Sequence, residues 1–349
     1  MRIAIVNDLL MAVEGLRRAV ISSGKHEIVW VASNGKEAVE KCSTNTPDLV
    51  LMDLHMPIMN GVDATRLIMQ ANPCPILIVT ASVRQNSAMV FEAMGNGALD
   101  AVNTPILSSQ GNMDGQKDFL KKIDLIGILS KPYPSTRLPT DNPVERNKAF
   151  LAPDTLVLLG ASSGGPQALA SILRGLPAGI STPIIIVQHV DEQFAPGLAD
   201  WLDQQTALKV RLAKVGDRPM SGTVLLSGTN DHLVMRGDGS LSYTPEPVNL
   251  PYRPSIDVFW HSVATYWQGS IIAALLTGMG RDGAEGMLAL KHRGALTIAQ
   301  NEASSAVYGM PKAARELGAA LKISALETIA FEITQNITPH EAGDCPVRM

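Results

Sequence analysis

The chain has 349 residues, of which 46% are apolar and 18% charged, and its formal net charge is −4. This composition predicts a globular chain of roughly two or three domains and, without a long basic run, gives no support for binding to nucleic acid. Because it has only three cysteines, no signal-peptide pattern and no apolar run of about 18 residues, we expect a cytoplasmic protein without a disulfide framework or direct membrane insertion.

The first part of the chain alternates short apolar segments with helical patterns such as Glu14–Ser22. The apolar segments are short and rich in Ile, Leu and Val, which is typical of buried strands. These segments are Ile3–Val6, Ile28–Val31, Leu49–Met52 and Ile76–Val79. Alternation of this kind predicts a parallel sheet with helices on both faces, and we assign residues 1–130 to this first domain.

A proline-rich stretch separates the two halves of the chain. Residues 131–153 contain five prolines and no apolar periodicity, which is typical of a linker, although such a stretch can also pack as an ordered strap. After it, the alternation of strands and helices restarts. The clearest strands there are Leu156–Leu159, Pro183–Val187, Val224–Leu226 and Ile271–Leu276. We therefore predict a second doubly wound α/β domain over 154–349, with about 337–349 as its tail.

Three polar residues stand just beyond three of these strands. Ser162 follows TLVLLGA, His189 follows PIIIVQ and Asp282 follows IIAALLTGMGR. Because ligands of open α/β sheets bind at the carboxyl ends of strands, these residues could meet in one crevice as nucleophile, base and orienting acid. The G-x-S-x-G pattern of Gly160–Gly164 permits a sharp turn from strand to helix, and Pro166 suits the first helical turn.

Each of the three residues also has a structural interpretation. Ser162 suits a helix cap, His189 a hydrogen-bonded buried histidine, and Asp282 a turn. The loop GASSGGP is a candidate phosphate site, but it matches neither G-x-x-x-x-G-K-[ST] nor G-x-G-x-x-G. The order Ser, His, Asp also differs from the Ser, Asp, His order of α/β-hydrolases. Residue types and spacing therefore leave a serine hydrolase and a structural interpretation both open.

The segments GASSGGPQAL, VQHV and LLTGMGRDGAEGM closely resemble the motifs of chemotaxis-type protein-glutamate methylesterases. The resemblance covers most of 154–336 and implies a serine hydrolase acting on γ-glutamyl methyl esters, and also on certain glutamines, of receptor cytoplasmic helices. It implies Ser162 as nucleophile, His189 as base and Asp282 as orienting acid. The backbone N–H of Met279 would contribute to the oxyanion hole, and hydrolysis would need no cofactor.

The segment VLMDLHMPIMNG strongly resembles the phosphoacceptor region of response-regulator receiver domains, over about residues 1–125. The resemblance implies a five-stranded, doubly wound parallel sheet. In it Asp53 would accept phosphate from a histidine kinase, and Thr80 would sense the phosphoryl group. Asp8 and Asp53, each at the end of a strand, are expected to hold the Mg²⁺ needed for phosphorylation, because Mg²⁺ favours oxygen ligands.

Two positions depart from the usual receiver pattern. Asn7 precedes Asp8 where two adjacent acids are usual, which removes one negative charge and predicts weaker Mg²⁺ binding. Thr104 stands before a proline where a lysine usually pairs with the phosphoryl group. Lys131 has a similar local pattern but lies too far downstream, and we assign it no site role. The V-N-D opening and DAVNTP also resemble a branch of the family found in surface-sensing pathways.

These features lead to three function hypotheses. The first is a phosphorylation-regulated methylesterase that acts on methyl-accepting chemoreceptor-type proteins, with the unmodified receiver covering the triad crevice. The alternative is a non-catalytic receiver-scaffold that binds receptors without turning them over. The third is a sugar-phosphate or nucleotide enzyme that uses the glycine loop GASSGGP, around Gly164, as an anion site.

Overall fold

The computed structural model describes four parts of the chain, separated by short or long gaps. These parts are residues 1–82, 85–107, 113–129 and 155–337. The predicted linker at 131–153 lies outside the described residues, and so does nearly all of the predicted tail.

The first domain alternates strands and helices throughout, as its apolar pattern predicts. Its elements are β1 (Arg2–Val6), α1 (Leu10–Ser22), β2 (Glu27–Ala32), α2 (Gly35–Thr44), β3 (Leu49–Met52), α3 (Gly61–Ala71), β4 (Ile76–Thr80), α4 (Ser87–Gly95), β5 (Asp100–Asn103), β6 (Ile106–Leu107), β7 (Met113–Asp114) and α5 (Gln116–Leu129). Five strands form a parallel sheet in the order β2-β1-β3-β4-β5. Since β1 lies inside this order, the chain winds in both directions from it and helices cover both faces.

The second domain is larger and follows the same alternation. Its elements are β8 (Thr155–Ala161), α6 (Gly165–Gly175), β9 (Ile184–Gln188), α7 (Ala195–Gln205), β10 (Lys209–Leu212), β11 (Thr223–Leu226), β12 (His232–Met235), β13 (Leu241–Thr244), α8 (Ile256–Tyr266), β14 (Ser270–Leu275), α9 (Ala284–His292), β15 (Leu296–Gln300), α10 (Met310–Glu316), β16 (Lys322–Ser324) and α11 (Leu326–Gln335). Seven strands form a parallel sheet in the order β10-β11-β9-β8-β14-β15-β16.

The apolar run of β8 is continuous because both faces of the central strand are buried. Leu156 and Leu158 belong to the core beneath α8 and α9, whereas Val157 and Leu159 belong to the core beneath α6. Successive side chains of a strand point to opposite faces, so a run of four apolar residues supplies two cores at once. The predicted α/β fold class with two doubly wound domains is therefore confirmed.

The two domains pack against each other through helices. One hydrophobic core contains Phe91 and Met94 of α4 in the first domain together with Leu169 and Leu198 of the second. The rings of Phe91 and Trp201 lie 6.0 Å apart between centroids, tilted by 36°. The first domain therefore meets the second through its α4 side, and α6 and α7 form the opposing surface.

Two antiparallel hairpins, β6–β7 and β12–β13, were not predicted. Their strands are two or four residues long, too short to give a clear period. The hairpin β12–β13 packs against α8 through Leu233, Met235 and Leu241, which are buried with Phe259. None of the helices in the described parts of the chain has the length and apolar character that a membrane crossing requires.

Candidate active site

Three adjacent strands at the centre of the second sheet end at the three residues of the predicted triad. Ser162 directly follows β8, and His189 directly follows β9, its neighbour on one side. Asp282 lies in the loop between α9 and β14, the neighbour of β8 on the other side. The direction of winding changes between β8 and β14, which is where ligands bind in open α/β sheets. The topology thus brings residues 120 positions apart to one edge of the sheet.

His189 and Asp282 are in direct contact. His189 Nε2 lies 2.7 Å from Asp282 Oδ2, a hydrogen bond in which the ring nitrogen donates to the carboxylate. The ring also stacks on Tyr252, with 4.5 Å between centroids and 16° between planes. These two contacts fix the orientation of the imidazole and place its proton on Nε2, so that Nδ1 carries the free lone pair.

Asp282 sits at the N-terminus of α8 and is buried. Its carboxylate accepts hydrogen bonds from Ser255 Oγ at 2.7 Å, from the backbone N–H of Ile256 at 2.6 Å and from that of Asp257 at 3.2 Å. Burial alone would raise the pKa of Asp282, but the hydrogen bonds from His189, Ser255 and Ile256 lower it below its ordinary value. The helix terminus and the imidazole therefore hold this buried carboxyl in its charged form.

A second carboxyl, that of Asp257, lies beside Asp282 and behaves in the opposite way. Burial raises its pKa well above the ordinary value, and the charge of Asp282 raises it further. One oxygen of Asp257 accepts the backbone N–H of Gly286 in α9 at 2.6 Å. Asp257 thus joins the starts of α8 and α9 behind the triad carboxylate.

Ser162 lies in a tight turn between β8 and α6, as the G-x-S-x-G pattern predicts. Gly165 N–H donates to Ser162 O at 2.8 Å, and Ser162 N–H donates to Thr277 O at 3.0 Å. Gly164 has φ +76°, and a Cβ there would lie 2.6 Å from the Cβ of Ala306. Glycine is therefore required by both the backbone conformation and the space. Pro166 follows in the first turn of α6.

Ser162 and His189 line the same cleft, whose volume is about 180 Å³. Within the described parts of the chain His189 Nδ1 has no hydrogen-bond partner, so Ser162 Oγ is not bonded to it in this structure. Contacts of this kind are often long in the absence of substrate. Met279, the predicted oxyanion residue, lines the same cleft. Its carbonyl is 3.4 Å from the hydroxyl of Tyr252.

The cleft has a second wall that comes from the first domain. Leu99, Asp100 and Lys122 line it opposite Ser162 and His189. Lys122 forms an ion pair with Asp100, and its Nζ lies 5.2 Å from the centre of the Phe194 ring in the second domain. The first domain therefore contributes part of the cleft wall.

Asp53 directly follows β3 of the first domain and is buried. Its Oδ1 accepts the backbone N–H of Leu54 at 2.8 Å. Burial raises the pKa of Asp53 above its ordinary value, and the charge of Asp8 contributes to the increase. Carboxylate oxygens such as those of Asp8 and Asp53 are the ligands that Mg²⁺ favours. In the described residues no group of three or more His, Cys, Asp or Glu is placed to hold a metal.

Thr80 ends β4 and connects this edge of the sheet to α4. Its hydroxyl accepts a hydrogen bond from Asn86 Nδ2 at 2.8 Å, and Asn86 precedes the first residue of α4. Thr104 N–H donates to Thr80 O at 2.9 Å, so Thr104 does occupy the position directly after β5. Asn7 is buried, and its side chain accepts the N–H of Leu9 at 2.8 Å. Lys131 lies outside the described residues.

Several residues that shape the site were not predicted. Tyr252, which stacks on His189, and Ser255, which donates to Asp282, both lie in the segment YRPSIDVFWHSVA. Gln188 is buried and donates from Nε2 to Ser162 O at 2.9 Å. The segment YRPSIDVFWHSVA also resembles the methylesterase motifs, but this resemblance does not indicate which of its side chains face the triad.

Fold and site together define a two-domain class. A receiver-like domain with a buried strand-end aspartate covers a cleft in an α/β domain, and that cleft contains a serine and a histidine–carboxylate pair.

Comparison with known proteins agrees with this class. The family model for CheB methylesterase matches residues 157–333, and that for the response regulator receiver domain matches residues 3–114. A protein-glutamate methylesterase/protein-glutamine glutaminase 3 from Pseudomonas aeruginosa is 53% identical over 336 residues, covering 96% of this chain and 99% of that protein. A protein-glutamate methylesterase/protein-glutamine glutaminase from Mesorhizobium japonicum is 50% identical over 340 residues, covering 96% and 98%.

Among solved structures, the crystal structure of the Thermotoga maritima CheB methylesterase catalytic domain has 29% sequence identity to this chain and a TM-score of 0.48. The match covers 53% of this chain and 99% of that one. The relatives at 50–53% identity and the two family models identify the chain. It belongs to the CheB methylesterase family and carries a response regulator receiver domain, which confirms the predicted resemblance.

Proposed function

We propose that this chain hydrolyses glutamyl methyl esters, and deamidates certain glutamines, on chemoreceptor-type proteins, under the control of its receiver domain. Both activities are those in the names of its relatives, which it matches over nearly its whole length. The observation that carries the proposal is the His189–Asp282 hydrogen bond of 2.7 Å at the edge of a cleft that Ser162 also lines.

Ser162 is the nucleophile in this proposal, and His189 is its base. Because Nε2 donates to Asp282, the lone pair that accepts the serine proton is on Nδ1. Ser162 Oγ attacks the ester carbonyl carbon as its proton moves to Nδ1. The tetrahedral intermediate then collapses, and methanol leaves with that proton. Nδ1 then takes a proton from a water molecule, which attacks the acyl-enzyme carbonyl. The bond to Ser162 Oγ breaks, Oγ takes the proton from Nδ1, and a glutamate side chain is left on the receptor. An amide substrate releases ammonia in place of methanol.

Asp282 orients the imidazole and stabilises the imidazolium that forms in each half-reaction. Its lowered pKa supports this role, because the carboxylate remains charged at neutral pH. The developing oxyanion is assigned to the backbone N–H of Met279, a residue that lines the cleft. No step in this scheme uses a cofactor.

The receiver regulates access to the cleft. Asp53 accepts phosphate from a histidine kinase, and Asp8 and Asp53 would hold Mg²⁺, which would supply positive charge beside the acceptor carboxylate. Phosphorylation adds about −1.5 to −2 charges and new acceptor oxygens at Asp53. Thr80 then exchanges its bond with Asn86 for one with the phosphoryl group, which shifts the start of α4. Since α4 packs on α6 and α7, this shift loosens the receiver from the cleft.

The test is methanol release from methyl-labelled receptor by the full-length chain, with and without a small phosphodonor and Mg²⁺. We expect Ser162→Ala to lose the activity by at least about 10³-fold while its circular dichroism spectrum is unchanged. Ser181→Ala, which changes an exposed serine before β9 at the opposite edge of the sheet from the cleft, is the matched control and should retain activity. Near-normal turnover by Ser162→Ala would refute the triad, and absence of turnover in the wild type would favour the receiver-scaffold.

A further inference from the structure

His232 is a fully buried histidine outside the triad, and the reaction scheme above does not use it. It is the first residue of β12, whose hairpin with β13 packs against α8. The hairpin thereby brings the imidazole beneath the start of α8, the helix whose N-terminus holds Asp282.

Both ring nitrogens of His232 bond to backbone groups, and these partners determine its tautomer. Nδ1 lies 3.0 Å from the backbone nitrogen of Ser255, which is a donor, so Nδ1 must accept. Nε2 lies 3.2 Å from the carbonyl oxygen of Pro247, an acceptor, so Nε2 must carry the proton. A neutral imidazole satisfies both partners, whereas a protonated ring would lose the bond to Ser255.

Ser255 links this imidazole to the triad. Its backbone N–H is bound by His232, and its hydroxyl donates to Asp282 Oδ1 at 2.7 Å. The same hydroxyl oxygen accepts the N–H of Val258 at 3.3 Å as the cap of α8. The chain of hydrogen bonds therefore runs from His232 through Ser255 and Asp282 to His189.

We propose that His232 is a positioning residue of the hydrolytic reaction, which holds Ser255 and the first turn of α8 so that their donors meet the Asp282 carboxylate. This inference rests on the triad of the proposed function. His232 does not contact substrate in this proposal. It affects the imidazole of His189 only through Ser255 and Asp282.

The surroundings of His232 agree with a neutral ring. Burial lowers its pKa, and the nearby charge of Arg253 lowers it further, while the carboxylates of Asp282 and Asp231 act in the opposite direction. Arg253 is itself paired with Asp231 at 3.2 Å. The acceptor at Nδ1 is therefore maintained at neutral pH.

The first test compares His232→Asn with His232→Gln in the full-length enzyme. The amide oxygen of Asn can replace Nδ1 and accept the Ser255 N–H, whereas Gln reaches only the Nε2 position. We expect the Asn variant to keep kcat within about threefold of wild type and the Gln variant to lose at least about tenfold, with KM unchanged in both, because misplacement of a catalytic group lowers kcat. Equal kcat values for the two variants would overturn the proposal.

Tyr243→Phe is the matched control for the loss of a buried polar group. The Tyr243 hydroxyl, on the partner strand β13, accepts the N–H of Gly228 and donates to the carbonyl of Ala213, both at 2.9 Å. We expect this variant to lower the urea midpoint as His232→Gln does, but to keep wild-type kcat. If both variants lose kcat alike, His232 has only a structural role.

A double-mutant cycle with Ser255→Ala tests the route. Ser255→Ala removes the hydroxyl but keeps the backbone N–H that His232 binds, so the combined loss of kcat with His232→Gln should be smaller than the product of the two single losses. Multiplicative losses would contradict the route. Should His232→Gln not fold, wild-type kcat in Ser255→Ala alone would overturn the proposal. Failure of the triad itself is read separately, from turnover by Ser162→Ala.

Discussion

The neighbouring carboxyl groups of Asp257 and Asp282 differ in protonation because their hydrogen-bond partners differ. Asp282 receives the imidazole, a hydroxyl and two backbone N–H groups, whereas the Asp257 carboxyl receives the N–H of Gly286. In a buried pair the carboxyl that accepts more hydrogen bonds ionises first, and its charge disfavours ionisation of the other. The donors at the start of α8 therefore select which of the two becomes the charged partner of His189.

This difference predicts opposite results for two isosteric substitutions. Asp282→Asn should lower kcat by roughly 10³- to 10⁴-fold, because the amide cannot stabilise an imidazolium. Asp257→Asn should keep kcat within about threefold, since burial and the charge of Asp282 disfavour ionisation of the native side chain. Initial rates of methanol release measure both. A comparable loss in the two variants would contradict the assignment of charge to Asp282.

The same pair gives the sign of a pH effect on stability. A carboxyl whose pKa is raised by folding contributes stability below its unfolded pKa of about 4 and loses it as the pH rises through the folded value. Wild type should therefore lose more unfolding free energy than Asp257→Asn as the pH is raised, because burial and Asp282 raise the pKa of Asp257. Urea titrations across the pH range measure this difference.

At the level of elements, much of the fold follows from apolar runs that the sequence displays directly. All eight predicted strands are present, because a strand buried on both faces needs a run of Ile, Leu and Val, as in β9. The sequence also predicted that Ser162, His189 and Asp282 lie near one another, because the carboxyl ends of parallel strands meet at one edge of the sheet. The Ser255 and His232 contacts could not be predicted, because they depend on how β12 and α8 pack.

The turn between β8 and α6 is the element on which the nucleophile depends most. Gly164→Ala should lower both kcat and the urea midpoint, because φ +76° disfavours a side chain and Cβ would lie 2.6 Å from that of Ala306. The left-handed conformation alone costs about 1–2 kcal/mol for a residue with a Cβ. Gly179→Ala is the control, since a Cβ there meets no atom within 4 Å. Equal stability of the two variants would contradict the requirement for glycine.

For the whole molecule, regulation depends on the surface where α4 of the receiver meets α6 and α7. The Phe91–Trp201 contact and the position of Lys122 over Phe194 hold the receiver beside the cleft. In the proposed regulation, phosphorylation of Asp53 acts through this surface on the balance between a covered and an open cleft. A tenfold shift in that balance requires only about 1.4 kcal/mol.

We expect the isolated segment 154–349 to hydrolyse methylated receptor faster than the unphosphorylated full-length chain, because the receiver wall of the cleft is absent. Trp201→Ala in the full-length chain should reproduce part of this gain, about tenfold or less, and should respond less to phosphodonor. Phe331→Ala, which removes an exposed aromatic ring of α11, is the matched control and should behave as wild type.

Asp53→Asn should keep the low basal rate and lose the response to phosphodonor. Equal rates for the segment and the full-length chain would refute autoinhibition by the receiver, since the covered cleft would then carry no kinetic cost.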